Sequence, residues 1–119
     1  MGAGIRRLDE FLPNISNLRF VKIDVEGGEI ACLRGAVRLL SKFRPYVSVE
    51  YGRPSYSAYG LSARSLYDIA DSINYMIGDL FGGVCPDCAT WEHVCDLSYW
   101  DWFLIPKEQV REWQARLAE

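Results

Sequence analysis

Three carboxylates lie where two apolar stretches of the chain end. Asp24 and Glu26 follow the stretch that starts at Phe20, and Glu50 closes the stretch that starts at Pro45. A carboxylate in such a position can orient a hydroxyl group, accept its proton or bind a divalent cation. The same side chains can instead cap the following helix by accepting hydrogen bonds from its free N–H groups. These residues alone leave both interpretations open.

The elements that position these acids follow a strand, helix, strand pattern. Residues 20–25 predict a strand buried on both faces. One helix is predicted over residues 29–44 because apolar side chains recur at helical spacing, and its basic face is predicted to be solvated: Arg34, Arg38, Lys42 and Arg44. Residues 46–51 predict a second strand, parallel to the first. Asp24 and Glu50 then meet at the edge where open α/β sheets bind ligands.

The rest of the chain is expected to complete an α/β domain over residues 1–119. Ser62 is a predicted helix N-cap. After that helix, a strand is predicted at residues 75–81, an irregular stretch at residues 82–96, a second strand at residues 99–105 and a final helix at residues 107–119. The sequence therefore predicts about four strands with flanking helices, the last strand being antiparallel.

Composition excludes several classes of function. The chain has 119 residues, is 50% hydrophobic and carries a formal net charge of −3. Its basic residues are scattered, unlike the clustered basic surface of nucleic-acid-binding proteins, and no apolar run approaches the roughly 20 residues of a membrane span. The first residues lack the apolar core of a secretory signal. We therefore expect a cytoplasmic protein that binds neither nucleic acid nor membrane.

Two further groups of side chains are candidates for a site. Tyr51, Tyr56 and Tyr59 surround a loop after the second predicted strand, where they would line a substrate pocket or pack inside the domain. Four side chains within a short segment can ligate zinc: Cys85, Cys88, His93 and Cys95. Reduced thiols and a surface histidine are the alternative. A redox pair is disfavoured because the sequence predicts no strand-to-helix placement for Cys85 and Cys88.

Three segments together resemble the FkbM family of S-adenosylmethionine-dependent methyltransferases. They read KIDVEGGE at residues 22–29, LRGA at residues 33–36 and RPYVSVE at residues 44–50. Weaker similarities lie at residues 7–10, 80–82 and 102–106, so that the resemblance covers about residues 7–106 and leaves a C-terminal helix at residues 107–119.

The resemblance implies a Rossmann-like fold with S-adenosylmethionine as methyl donor. Asp24 would lie near that cofactor and act with Glu26, with Glu50 in support, on a hydroxyl group of a sugar or secondary metabolite. The family's glycine-rich cofactor loop follows its first strand, whereas the only Gly-x-Gly here is residues 2–4, with no predicted strand before it. The chain therefore resembles the carboxyl-terminal half of the family's domain, and we expect it to be inactive or weakly active alone.

The resemblance also implies an open sheet edge. In the family, the strand at Val21–Asp24 would pair with a first strand that this sequence does not match, so we expect this edge to pair with a second copy or a partner chain. Two other classes stay open. One is a non-catalytic assembly module that uses this edge, and the other is a small zinc-stabilised domain.

Overall fold

The structure is a computed structural model that describes residues 18–23, 28–52, 56–57, 60–95 and 101–117. Its strands are β1 (Phe20–Ile23), β2 (Tyr46–Glu50), β3 (Tyr75–Gly78), β4 (Val84–Cys85) and β5 (Asp101–Pro106). Its helices are α1 (Glu29–Arg34), α2 (Val37–Phe43), α3 (Ala63–Ser72), α4 (Cys88–Val94) and α5 (Val110–Leu117), with a 3₁₀ turn at Lys107–Gln109 before α5. None of the described helices has the length and apolar character that crossing a membrane requires.

The strands form one mixed sheet in the order β1-β2-β5-β3-β4. β1 and β2 are parallel, and β5 lies between β2 and β3, antiparallel to both. The α/β class, the parallel first pair and the antiparallel last strand are therefore confirmed. The expected number of strands was wrong, because a two-residue strand, β4, pairs with β3 as a hairpin.

The connection between β1 and β2 contains two helices where the sequence predicted one. The break falls at Gly35 and Ala36, where the N–H of Ala36 bonds to the carbonyl of Leu33, three residues back, at 3.0 Å. Glycine is a poor helix former, and a bond to the third residue back tightens the turn. The second helix then presents Leu39 and Leu40 to the core, each at most 2% exposed.

The start of α3 is as predicted. Ser62 precedes the helix in an extended conformation, and Ser62 and Ser65 each accept a hydrogen bond from the other's backbone N–H. This reciprocal capping satisfies two N–H groups that the helix itself cannot. It fixes the point where the loop after β2 ends.

The prediction of an irregular segment at residues 82–96 was wrong. After β4, Asp87 caps α4, its carboxylate accepting a hydrogen bond from the N–H of Thr90 at 2.8 Å. This bond lowers the pKa of Asp87. Aspartate is a preferred N-cap residue, so Asp87 was a signal in the sequence for a helix start.

The two faces of the sheet are covered unequally. One face carries Val47, Val49, Ile77 and Leu104, all at most 1% exposed. The other face is covered by α5, whose Trp113 lies so close to Gly78 that an added Cβ would come within 2.7 Å of the ring. This cover does not reach β1, where Phe20 is 52% exposed. The prediction that the first strand is buried on both faces was therefore wrong for its described part.

Arg44 is the exception to the predicted solvated basic face. It ends α2 with a left-handed backbone (φ 53°), and its guanidinium donates to the carbonyls of Ile73 and Asn74 at 2.6 and 2.8 Å. The same group forms a two-point contact with Glu108 at 2.9 Å and lies 4.6 Å from the ring centre of Tyr75. Arg44 therefore joins the end of α2 to the end of α3 and to the turn before α5. We call this set of contacts the Arg44 clamp.

Candidate functional site

The carboxyl ends of β1 and β2 lie side by side. The two strands are parallel and in register, with Ile23 beside Val49, so the segments that follow them leave the sheet at the same edge. This is the edge at which open α/β sheets bind ligands. Asp24 and Glu26, the two acids predicted to act there, lie outside the described residues, and their roles remain predictions.

Glu29 is a buried acid at this edge. Its side chain is only 2% exposed, and among the described residues it is the one charged residue that is buried. Burial raises the pKa values of the Cys32 thiol and of Tyr51, and the negative charge of Glu29 adds a smaller increase to each. Burying a carboxylate costs on the order of several kcal/mol unless it forms hydrogen bonds or an ion pair. A buried acid here is therefore a specific feature of the site.

The sequence predicted Glu29 only as the first residue of the helix over residues 29–44. A signal for its burial was present, because Glu29 lies four residues before Leu33 and so shares the apolar face of α1. Charge alone made the exposed interpretation more natural.

Glu50 has an acidic neighbour that the sequence did not reveal. In the antiparallel pairing of β2 with β5, Glu50 lies directly opposite Asp101, and both residues are exposed. Opposite residues on neighbouring strands have Cβ atoms about 4.5–5.5 Å apart, where like charges repel. Asp101 was missed because the register of two strands that are far apart in sequence is not visible locally. The edge thus carries two exposed acids, Glu50 and Asp101, and one buried acid, Glu29.

Aromatic side chains form the floor beneath this edge. Trp91 and Trp102 meet edge to face with ring centres 4.8 Å apart. The indole N–H of Trp102 donates to the carbonyl of Tyr51 at 3.0 Å, and that of Trp91 donates to the carbonyl of Ala63 at 2.6 Å. Both ends of the loop between β2 and α3 are therefore anchored by buried indoles.

The three candidate tyrosines occupy different environments. Tyr51 is 1% exposed, and its hydroxyl donates to the carbonyl of Ser62 at 2.7 Å, while burial raises its pKa strongly. Tyr56 is half-buried, with its ring centre 5.6 Å from that of Tyr51. Tyr59 lies outside the described residues. Tyr51 thus holds the loop between β2 and α3 through its hydrogen bond to Ser62. A substrate-contacting role for Tyr56 and Tyr59 stays a prediction.

The four candidate zinc ligands are all described. Cys85 and Cys95 are buried, Cys88 donates to the carboxylate of Glu92 at 3.2 Å, and His93 is exposed. In the described part of the chain, no three histidine, cysteine, aspartate or glutamate side chains are arranged to hold a metal ion. The structure therefore gives the zinc interpretation no support.

The reason given against a redox pair was wrong, although the pair still lacks reactive thiols. Cys85 ends β4 and Cys88 begins α4, which is a strand-to-helix placement. Burial, with smaller effects from Asp79 and Asp87, raises the pKa of Cys85 to about 11, and the pKa of Cys88 is also raised. Thiols with raised pKa values are poor nucleophiles at neutral pH.

We expect the two thiols to differ in accessibility. In the native protein at neutral pH, iodoacetamide should modify Cys88, which is only partly buried. Cys85 should react only after denaturation, because it is buried and its pKa of about 11 keeps the thiol protonated at neutral pH. Mass spectrometry of the digested protein measures both. Equal native reactivity of Cys85 and Cys88 would contradict the placement of β4.

The fold and this edge define an α/β protein with acids at the carboxyl ends of parallel strands. The family model described as Methyltransferase FkbM domain matches residues 4–79, more than half of the chain. The protein belongs to the FkbM methyltransferase domain family. The match includes Asp24, Glu26, Glu29 and Glu50, and it ends before β4 and β5, so the similarity noted for residues 80–82 and 102–106 remains a prediction.

Comparison with curated proteins and with solved structures gave no significant match. Among these comparisons, only the family match therefore points to an activity, that of a methyltransferase.

Proposed function

We propose that the protein is part of an S-adenosylmethionine-dependent methyltransferase that transfers a methyl group to a hydroxyl oxygen of a sugar or secondary metabolite. The observation that carries this proposal is the family match, which includes the acidic segment directly after β1. The sheet supports it, because β1 and β2 are parallel and bring their carboxyl ends to one edge. On this proposal the fold is the second half of a Rossmann-like methyltransferase sheet.

The acidic edge suits the charge of this cofactor. S-adenosylmethionine supplies a methyl group on a positively charged sulfur, and negative side chains stabilise a nearby cation. Glu29 is buried at the edge, and Glu50 and Asp101 are exposed on it. The negative charge of these acids therefore suits a sulfonium group, while no Gly-x-Gly sequence follows a described strand.

The work proposed for this chain is to orient the acceptor hydroxyl and take its proton. Asp24 or Glu26 would accept the hydroxyl proton as the oxygen bonds to the methyl carbon and the carbon–sulfur bond of the donor breaks, and general bases of this kind contribute about 10²–10⁴-fold to rates. Tyr51 and the two indoles would hold the neighbouring loop in place, since alignment of reactants is the other main source of acceleration.

The proposed role of Asp24 can be tested in a completed domain. A strand and glycine-rich loop from a family member would be joined ahead of Met1, and transfer of labelled methyl groups to sugar and metabolite acceptors would be measured. We expect one of the two substitutions Asp24→Asn and Glu26→Gln to lower kcat/KM by about 100-fold. Asp68→Asn is the matched control, because Asp68 is exposed on α3 and pairs only with Arg64 in the described contacts. Full activity of both Asp24→Asn and Glu26→Gln would contradict the proposed base.

A further inference from the structure

A groove lies on the less covered face of the sheet, at the end opposite the acidic edge. It has a volume of about 590 Å³ and runs between α5 and the first residues of β1 and β2. Its lining includes Arg19, Phe20, Tyr46, Glu112 and Arg116. A volume of this size is enough to take several side chains.

The groove contains hydrogen-bonding capacity that the described residues do not use. The hydroxyl of Tyr46 is buried yet has no hydrogen-bond partner among them. A buried donor without an acceptor costs about 1–3 kcal/mol. Arg19, which is exposed, likewise makes no side-chain ion pair or hydrogen bond within the described part of the chain.

The other charges around the groove are already matched. Arg116 pairs with Glu112 at 2.9 Å, and Arg44 pairs with Glu108 in the Arg44 clamp. Burial raises the pKa of Tyr46, the charge of Glu112 adds to that increase, and the charge of Arg116 opposes it. The charge around the groove that has no ion-pair partner among the described residues is therefore the positive charge of Arg19. Lys22 is exposed further along β1.

The groove is continuous with the outer edge of the sheet that the described strands form. β1 is at the end of the described sheet, and the carbonyl of Arg19 accepts from the N–H of Tyr46 at 3.0 Å. Because successive residues of a strand direct their backbone groups to opposite sides, Phe20 and Lys22 direct theirs away from β2. Such groups are a template for an added strand.

We propose that β1 binds an extended acidic segment of a partner protein as an added strand, with one carboxylate accepting hydrogen bonds from Tyr46 and Arg19 in the groove. Charge complementarity selects this occupant. A second copy would add its own Arg19 and Lys22 to the same surface. The inference does not depend on methyl transfer.

Labelled peptides test the proposal on the 119-residue chain. Fluorescence anisotropy would compare an acetylated, amidated peptide of alternating valine and glutamate with the same peptide carrying lysine in place of glutamate. We expect the glutamate peptide to bind at least about tenfold more tightly at low salt, and Arg19→Gln to weaken it by about threefold or more. Arg111→Gln, on the exposed side of α5, should leave binding unchanged.

The strand-addition geometry has its own test. Lys22→Pro removes an N–H that points away from β2, so it should abolish peptide binding while the sheet persists by circular dichroism. Lys22→Gln controls for the lost charge and should retain most of the affinity. The proposal is overturned if the two peptides bind equally, if Arg19→Gln has no effect, or if sedimentation shows a dimer that excludes the peptide.

Discussion

Replacing Trp91 by alanine is expected to lower the free energy of unfolding by about 3–5 kcal/mol, the usual cost of removing a large buried aromatic side chain. Trp91 is fully buried, meets Trp102 edge to face and donates its indole N–H to Ala63. The substitution leaves a cavity, removes the ring pair and leaves a carbonyl without its donor. Urea denaturation followed by circular dichroism measures the loss.

Phe81→Ala is the matched control for this substitution. Phe81 is also aromatic but is 74% exposed, so its removal should change stability by less than about 1 kcal/mol. Equal effects of Trp91→Ala and Phe81→Ala would contradict the buried floor beneath the acidic edge.

Arg44→Ala is expected to lower the free energy of unfolding by about 2–4 kcal/mol, because it removes two hydrogen bonds from a charged donor to main-chain carbonyls. The Glu108 pair adds little, since Glu108 is 54% exposed and exposed ion pairs contribute about 0–1 kcal/mol. Arg44→Lys should recover less than half of the loss, because one ammonium group cannot replace the planar fork of donors. Arg64→Ala is the control and should cost about 0.5 kcal/mol.

The Arg44 clamp also predicts a pH dependence. The hydrogen bond from Arg44 lowers the pKa of Glu108 below its ordinary value of 4.5. A carboxylate with a lowered folded-state pKa stabilises the fold above its unfolded-state pKa, and that contribution is lost as the pH falls through the folded-state pKa. Wild type should therefore lose more stability than Glu108→Gln between neutral pH and about pH 3. An identical loss in both proteins would show that the pair contributes nothing.

Local patterns predicted the elements nearest the acids. The apolar spacing of β1 and β2, the stop at Pro45 and the cap at Ser62 each depend on residues that are close in sequence. The family segments lie in the same region, which is why the family could be identified from residues 22–50.

The features that were missed depend on contacts between distant residues. Arg44 was assigned to solvent because its acceptors, Ile73, Asn74 and Glu108, lie about 30 residues or more further along the chain. Asp101 became part of the edge only through its register with Glu50. The break between α1 and α2 at Gly35 is a different case. The sequence showed a poor helix former at this position, but whether it interrupts the helix depends on how α2 packs.

The most direct test of the proposed function is a titration of the 119-residue chain with S-adenosylmethionine, followed by calorimetry and by amide chemical shifts. We expect weak binding, in the range of about 1 mM or weaker, because only a few contacts are made when the glycine-rich loop is missing. The shifts should be confined to the edge around Glu29, Glu50 and Tyr51, and Asp24→Asn should reduce them while Asp68→Asn does not. Micromolar binding, or shifts located away from this edge, would contradict the account.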